Sequence, residues 1–342
     1  MKVAITSILM LITFSNIISQ EATASDEAEQ APIISVSGSV DVYYRANLNA
    51  DYDFAPATSF ANLPGFSLGM ANVILEHEGK KAGITADLVF GPRGEDATFL
   101  SPELRPGGIS NIVNQLYAYW NISSSVKATI GNFNTFLGYE VISPTGNFNY
   151  STSYMFSYGP FSHTGLKVDF DLGEGFSLMT GIFNPTDATE YNPSNNYAAG
   201  LQLGYENGGL GMWANALISD EFYQLDLTAG YDVTETVYVG LNATTAKDAF
   251  YGVATYVQVA TSDKLKLGTR IEYFKDNGVD IEMLISGNSV VNTTLSAQYT
   301  VGNLVLIPEV RLDIFSNDDV VPNGEELGNS LSSLVVAAIY GF

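Results

Sequence analysis

The sequence predicts an all-β fold: a transmembrane antiparallel β-barrel of about sixteen strands, with long loops at one end and short turns at the other. Three observations predict it. The last segment alternates, with Leu334, Val336, Ala338, Tyr340 and Phe342 on one face and Ser333, Val335, Ala337, Ile339 and Gly341 on the other, and it runs flush to Phe342. An outward face tipped with aromatic residues suits a strand that meets lipid instead of water. Upstream, segments of about ten residues repeat this period-2 alternation, and sustained 3.6-residue periodicity is nearly absent. After the first residues, no apolar run reaches the roughly 18 to 20 residues that a membrane helix needs.

The N-terminus reads as an export signal. Met1-Lys2 precedes an apolar stretch from Val3 to Ile18, and the small triplet Ala22-Thr23-Ala24 follows. Cleavage after Ser19 or after Ala24 fits, so residues 1–24 are expected to be a signal peptide. Residues 25–35 form an acidic leader, and 36–342 the barrel. With no cysteine in the chain, disulfide staples and thiolate metal sites are excluded.

Strands are expected near 36–46, 66–78, 82–91, 112–121, 125–133, 161–172, 175–184, 198–206, 209–218, 222–232, 235–245, 249–261, 264–275, 289–301, 304–315 and 331–342. An even number lets the first and last pair antiparallel, which leaves no unpaired edge in lipid. The connections alternate in length. Tight turns at Gly79-Lys80-Lys81, Ser123-Ser124, Gly173-Glu174, Asn207-Gly208, Thr234-Glu235, Ser262-Asp263 and Gly302-Asn303 interleave with long segments at 47–65, 92–111, 134–160, 185–197, 276–288 and 316–330. Tyr44, Phe90, Tyr205, Tyr231, Tyr273, Tyr299 and Tyr340 stand near strand ends, where interfacial girdles belong. Sixteen strands enclose an aqueous lumen, whereas eight would pack a side-chain core.

The formal net charge is −23, from 37 acidic and 14 basic residues, so phosphate is repelled and nucleic acid is excluded as a partner. Alternation turns Lys266, Arg270 and Glu272 on one strand, and Glu309, Arg311 and Asp313 two strands later, into the lumen. This cluster reads either as a charge ladder that sets a transverse field, or as an ion-paired network that stiffens the wall. Asp41, Glu76, Glu78, Asp87, Asp169, Asp171, Glu206, Asp226 and Asp232 share that inward parity with Arg45, Lys127 and Lys167. The total is twelve inward acids against six bases, a mild bias toward cations.

Residues 134–160 form the third long connection, and they are too apolar for water: Phe136, Leu137, Val141, Ile142, Phe148 and Met155 must be buried. If the loop folds inward, Glu140, Asn147, Asn149, Ser151 and Ser153 are candidates for a hydrogen-bonding constriction. The other arrangement is an external cap.

Gly131-Asn132-Phe133-Asn134-Thr135-Phe136-Leu137-Gly138-Tyr139-Glu140, Gly146-Asn147-Phe148-Asn149-Tyr150-Ser151 and Pro160-Phe161-Ser162-His163-Thr164-Gly165 together resemble the OmpL-like β-barrel porin family of Gram-negative, Bacteroidetes-type bacteria. Arg270-x-Glu272-Tyr273-Phe274 and Pro308-Glu309-x-Arg311-x-Asp313 match the same pattern, although Val310 and Leu312 replace the aromatic residues often found between those charges. The resemblance spans the mature chain. It implies a porin of the cell outer membrane, a passive channel for small hydrophilic solutes and ions.

Its expected partners are outer-membrane lipid, the solutes themselves and the barrel-assembly machinery, with a homotrimer open. Tyr340 and Phe342 match the C-terminal insertion signal of such barrels. An enzyme is disfavoured: only His77 and His163 are available for a Ser-His pair, and neither has a triad context. No cofactor and no transition-metal site are expected. Calcium on loop carboxylates such as Asp318 and Asp319 reads first as a solvated acidic loop. The remaining rival is a non-conducting adhesin or receptor that acts through its loops.

Overall fold

A computed structural model describes residues 34–101, 110–190, 192, 194–220, 222–278 and 287–342. The expected signal peptide, and the leader as far as residue 33, lie outside the described residues.

The barrel strands are β1 (Ser35–Asn47), β2 (Gly65–His77), β3 (Ala82–Phe90), β4 (Val113–Ser123), β5 (Val126–Asn134), β6 (Ser162–Gly173), β7 (Phe176–Phe183) and β8 (Ala198–Asn207). They continue as β9 (Leu210–Ile218), β10 (Tyr223–Asp232), β11 (Val237–Ala246), β12 (Phe250–Ala260), β13 (Leu265–Asp276), β14 (Ser289–Val301), β15 (Leu304–Phe315) and β18 (Ser330–Gly341). Each lies within two or three residues of its sequence-predicted position, because alternation and turn signals are local properties. All pair antiparallel with their neighbours, and β18 closes on β1 from Ser39 opposite Gly341 to Asn47 opposite Ser333. Closure satisfies every strand edge, as a lipid-embedded sheet requires.

Two features of the loops lie beyond the expected pattern. A small hairpin, β16 (Val321–Asn323) and β17 (Glu326–Gly328), caps the last loop. A helix, α1 (Pro92–Ala97), opens the second; its proline stands in the first turn, where the missing N–H costs nothing.

Outward side chains such as Phe66, Leu68, Ile84, Leu116, Trp120, Ile130, Leu295 and Tyr340 are exposed, so the apolar face lies on the outside. Tyr44 packs on Phe66 and Phe176 on Tyr205 on that surface, at 4.9 and 4.7 Å between ring centroids. The inside carries Thr, Asn, Gln and charged residues, interrupted by buried apolar groups such as Phe133, Met179, Phe183 and Leu217, and Phe250, Phe274 and Phe315. Val335, Ala337 and Ile339 of β18, together with Ile307 of β15, face inward, are apolar and are buried. In an open lumen such side chains would be exposed to water, so their burial shows that another part of the chain covers them.

Candidate functional site: the long loop inside the barrel

Residues 135–161, between β5 and β6, provide that cover. Tyr150 packs into the apolar group with Tyr43, Ile307, Val335 and Ile339. Met155 lies against Gly252 of β12, and Phe148 lies over Gly268 of β13, where an added Cβ would come 2.3 Å from its ring. The loop's short helix, α2 (Tyr154–Tyr158), starts at Ser153, whose hydroxyl accepts from Phe156 N–H. An apolar loop cannot stay in water, and the inner wall offers it both apolar surface and partners for its backbone.

The inward charges supply those partners. Glu309 accepts from the backbone N–H groups of Tyr150 (2.8 Å) and Ser151 (3.2 Å), and from the Ser296 hydroxyl (2.8 Å), which in turn accepts from Asn149. Glu272 accepts from Tyr154 N–H (2.9 Å) and Met155 N–H (2.8 Å), at the start of α2, where the helix leaves its N–H groups unpaired. Arg270 pairs with Glu140 at 2.5 Å and donates to the carbonyls of Ser151 and Thr152. Arg311 holds Asp313 with two bonds, at 2.8 and 2.9 Å, and donates to the Thr152 carbonyl. Glu140 also accepts from Ser153 N–H (2.7 Å), and Gln298 donates to the carbonyls of Asn147 and Phe148. Removing either partner of the buried Arg270–Glu140 pair would strand the other charge, at a cost of about 3–5 kcal/mol.

Neighbouring loops lock the arrangement. Arg93 of α1 donates to the Ile142 carbonyl (2.7 Å), and its guanidinium lies over the Phe60 ring at 4.4 Å. In the first loop, the Ser59 carbonyl accepts from the Thr152 hydroxyl, and Arg45 ties that loop down through Asn62 and Phe54.

The sequence-predicted residues therefore come together, in a different relation from the one their pattern suggests. Arg270, Glu272, Glu309, Arg311 and Asp313 are each at most 1% exposed, and Glu140, Asn147, Asn149, Ser151 and Ser153 are all buried. Neither set faces open water, because the strand charges hold the loop's backbone against the wall. Lys266 stands apart, four residues along the inward row of β13 and level with Gln298, and is partly exposed. Asp41, which accepts from the Tyr150 hydroxyl and Met70 N–H, and Asp226, which accepts from Gly138 N–H, Asn215 and Asn242, are further loop anchors. Inward parity reveals those two, while nothing local reveals their partners. Arg93 has no such signal.

His163 is fully buried, packed between Phe136 and Phe183 with its Nε2 2.9 Å from the Thr135 hydroxyl. It is a wall residue, and Tyr340 and Phe342 are exposed on the outer face, where Phe342 bonds Gly38.

Outside the loop's footprint, the inward side chains of Tyr117, Tyr119, Lys127, Lys167 and Trp213 remain half-buried. Beneath the loop's tip a cavity of about 340 Å³ opens among Pro144, Asn147, Gln298, Ile307 and Ile339.

A sixteen-stranded ring with one long loop packed on its inner wall is the context in which a family match carries weight. The model of the family described as "Putative beta-barrel porin-2, OmpL-like" matches residues 33–342. The chain belongs to this OmpL-like porin family. Its location is accordingly the outer membrane. No curated protein matches the sequence.

Among solved structures, the OmpL-like porin is similar to a loop L8 deletion mutant of OmpT, an outer membrane protein of Vibrio cholerae, with TM-score 0.58 and 12% identity over 92% of this chain and 100% of that one. It is also similar to a mutant form of the Rh. blastica porin, with TM-score 0.55 and 13% identity over 91% of this chain and 100% of that one. At such identities the likeness shows the fold alone. The family is that of a porin and the fold that of an outer-membrane barrel.

Proposed function

We propose that this porin is a passive diffusion channel for small hydrophilic solutes and ions, narrowed by its third long loop and mildly cation-preferring. The observation that carries the reading is the docking of loop 135–161 on the inner wall, where its clamp sits on β10–β15, β18 and β1, while inward Tyr117, Tyr119, Lys127, Lys167 and Trp213 of β4–β6 and β9 stay partly exposed. The cation bias rests on the inward charges that remain in contact with solvent. Glu76, Glu78, Asp169, Asp171, Glu206 and Asp232 outnumber Lys127, Lys167 and Lys266. In a lumen walled by protein and lipid, such charges act on ions more strongly than they would in bulk water.

In this reading the signal at 1–24 exports the chain, the leader at 25–35 stays periplasmic, and Tyr340 with Phe342 presents the insertion signal to the assembly machinery. Assembly as a homotrimer belongs to the same proposal. Conduction needs neither cofactor nor covalent chemistry. The test is single-channel conductance of the refolded protein in a planar bilayer under a salt gradient. Discrete open steps with a cation-biased reversal potential support the reading; a folded but silent barrel refutes it and moves the weight to an adhesin or receptor.

A further inference from the structure

We infer that Lys127 and Lys167 form a carboxylate-binding subsite on the wall opposite the clamped loop, one that receives organic acids with an apolar or aromatic body. The inference deepens the channel reading and rests on it. β5 and β6 stand eight places around the sixteen-stranded ring from β13 and β14, so these lysines look across the lumen at the strands that anchor the loop. In the β5–β6 register Lys127 faces Asp169 and Thr129 faces Lys167, which sets the two ammonium-bearing residues one inward step apart on adjacent strands.

The other strand cations that point inward are mostly consumed. Arg45, Arg270 and Arg311 are each at most 1% exposed, with their guanidinium groups on carbonyls and carboxylates. Lys127 and Lys167 are held differently. The Lys127 ammonium lies 4.3 Å from the centroid of the Tyr119 ring, and that of Lys167 lies 5.2 Å from the centroid of Phe133. Aromatic faces position a cation without neutralising it. Among the described residues, Asp169, 3.5 Å from Lys167, is the single carboxylate within ion-pair distance of either. With Asp169 paired to Lys167, and Glu76 and Glu78 acting on Lys127 only from farther along the wall, the Lys127 ammonium has no contact anion, which matches a monocarboxylate better than a dianion.

A second observation points to a ligand. Thr129 lies between them on the same inward face, is almost completely buried, and has a hydroxyl with no hydrogen-bond partner among the described residues. Buried hydroxyls are rarely left so, and a carboxylate bridging the lysines would give this one an acceptor. Charge-assisted bonds to two ammonium groups hold the anion, and the partly exposed Tyr119 ring offers the apolar body a face.

Benzoate is the probe, with benzamide as its neutral counterpart, titrated calorimetrically into the detergent-folded full barrel and compared with conductance of the same samples. Wild-type protein should bind benzoate and not benzamide. K127Q/K167Q should weaken benzoate binding by about tenfold or more. K127Q alone, which keeps the Lys167–Asp169 pair, should weaken it severalfold, while K127R/K167R retains it. Heat-modifiable gel mobility checks that each variant closes its barrel. Equal binding of benzamide, or benzoate binding that is indifferent to the glutamine substitutions, overturns the subsite while leaving conduction untouched. Lysine-dependent binding in a barrel that passes no current upholds the subsite and overturns the channel reading.

Discussion

Removing the two carboxylates that hold the loop's backbone should release it while leaving the barrel closed. Glu309 and Glu272 between them accept four backbone N–H groups, those of Tyr150, Ser151, Tyr154 and Met155, and all four lie in buried surroundings. A buried donor left without its acceptor costs about 1–3 kcal/mol, so Glu272→Ala/Glu309→Ala should destabilise the docked loop by on the order of 4–12 kcal/mol. That range exceeds what a single surviving contact restores. The barrel ladder involves none of these four groups, so closure on β1 and β18 should persist, checked by heat-modifiable gel mobility. The assay is chymotrypsin cleavage of the folded protein, since Tyr150, Tyr154 and Phe156 are buried cleavage sites, together with single-channel conductance. Rapid cleavage within 135–161 and a larger, noisier conductance are expected. Glu309→Gln, which keeps an acceptor oxygen, should give a smaller effect. A closed barrel with unchanged proteolysis and conductance would refute the idea that these carboxylates retain the loop.

Deleting residues 147–153 should raise conductance by removing the docked tip; an unchanged step size in the bilayer would show that the loop does not limit flow. Glu206→Gln/Asp232→Asn should shift the reversal potential toward anions, because these acids are exposed, whereas Asp313→Asn should change loop retention more than selectivity, because Asp313 is buried against Arg311. Asp187, in the loop after β7, accepts from Phe161 and Ser162 N–H at 2.7 and 2.8 Å, yet burial pushes its carboxyl up to about 7. Because the folded state binds this proton more tightly than the unfolded one, the contribution of Asp187 to stability is greatest in acid and falls as pH rises from about 4 toward 7. The loss is on the order of 4 kcal/mol across that window. Asp187→Asn should therefore raise thermal stability at pH 8 and do little at pH 4, measured by calorimetry; an equal effect at both would sink the assignment.

The alternating residues of β3, β10 and β14, and the glycines and asparagines of the turns, determined the strands, their inward and outward faces and the antiparallel ring. Each of these follows from a period of two and from turn chemistry acting within a few residues. The apolar content of the third loop determined that it must be buried. Where it goes, and what holds it, only the tertiary structure decided. Parity shows that Arg270, Glu272, Glu309 and Arg311 point inward, but it does not say whether water or protein meets them there. Their partners lie far away in sequence: Glu140 is 130 residues from Arg270, and Tyr150 is 159 from Glu309. The inward Val335, Ala337 and Ile339, like the inward Phe183, Phe250 and Phe274, are a local sign that the lumen wall is covered, but a strand apolar on both faces reads equally as a buried strand. A carboxylate that points inward becomes a pore charge or a clamp according to what the closed ring brings against it, and that is a property of three-dimensional packing alone.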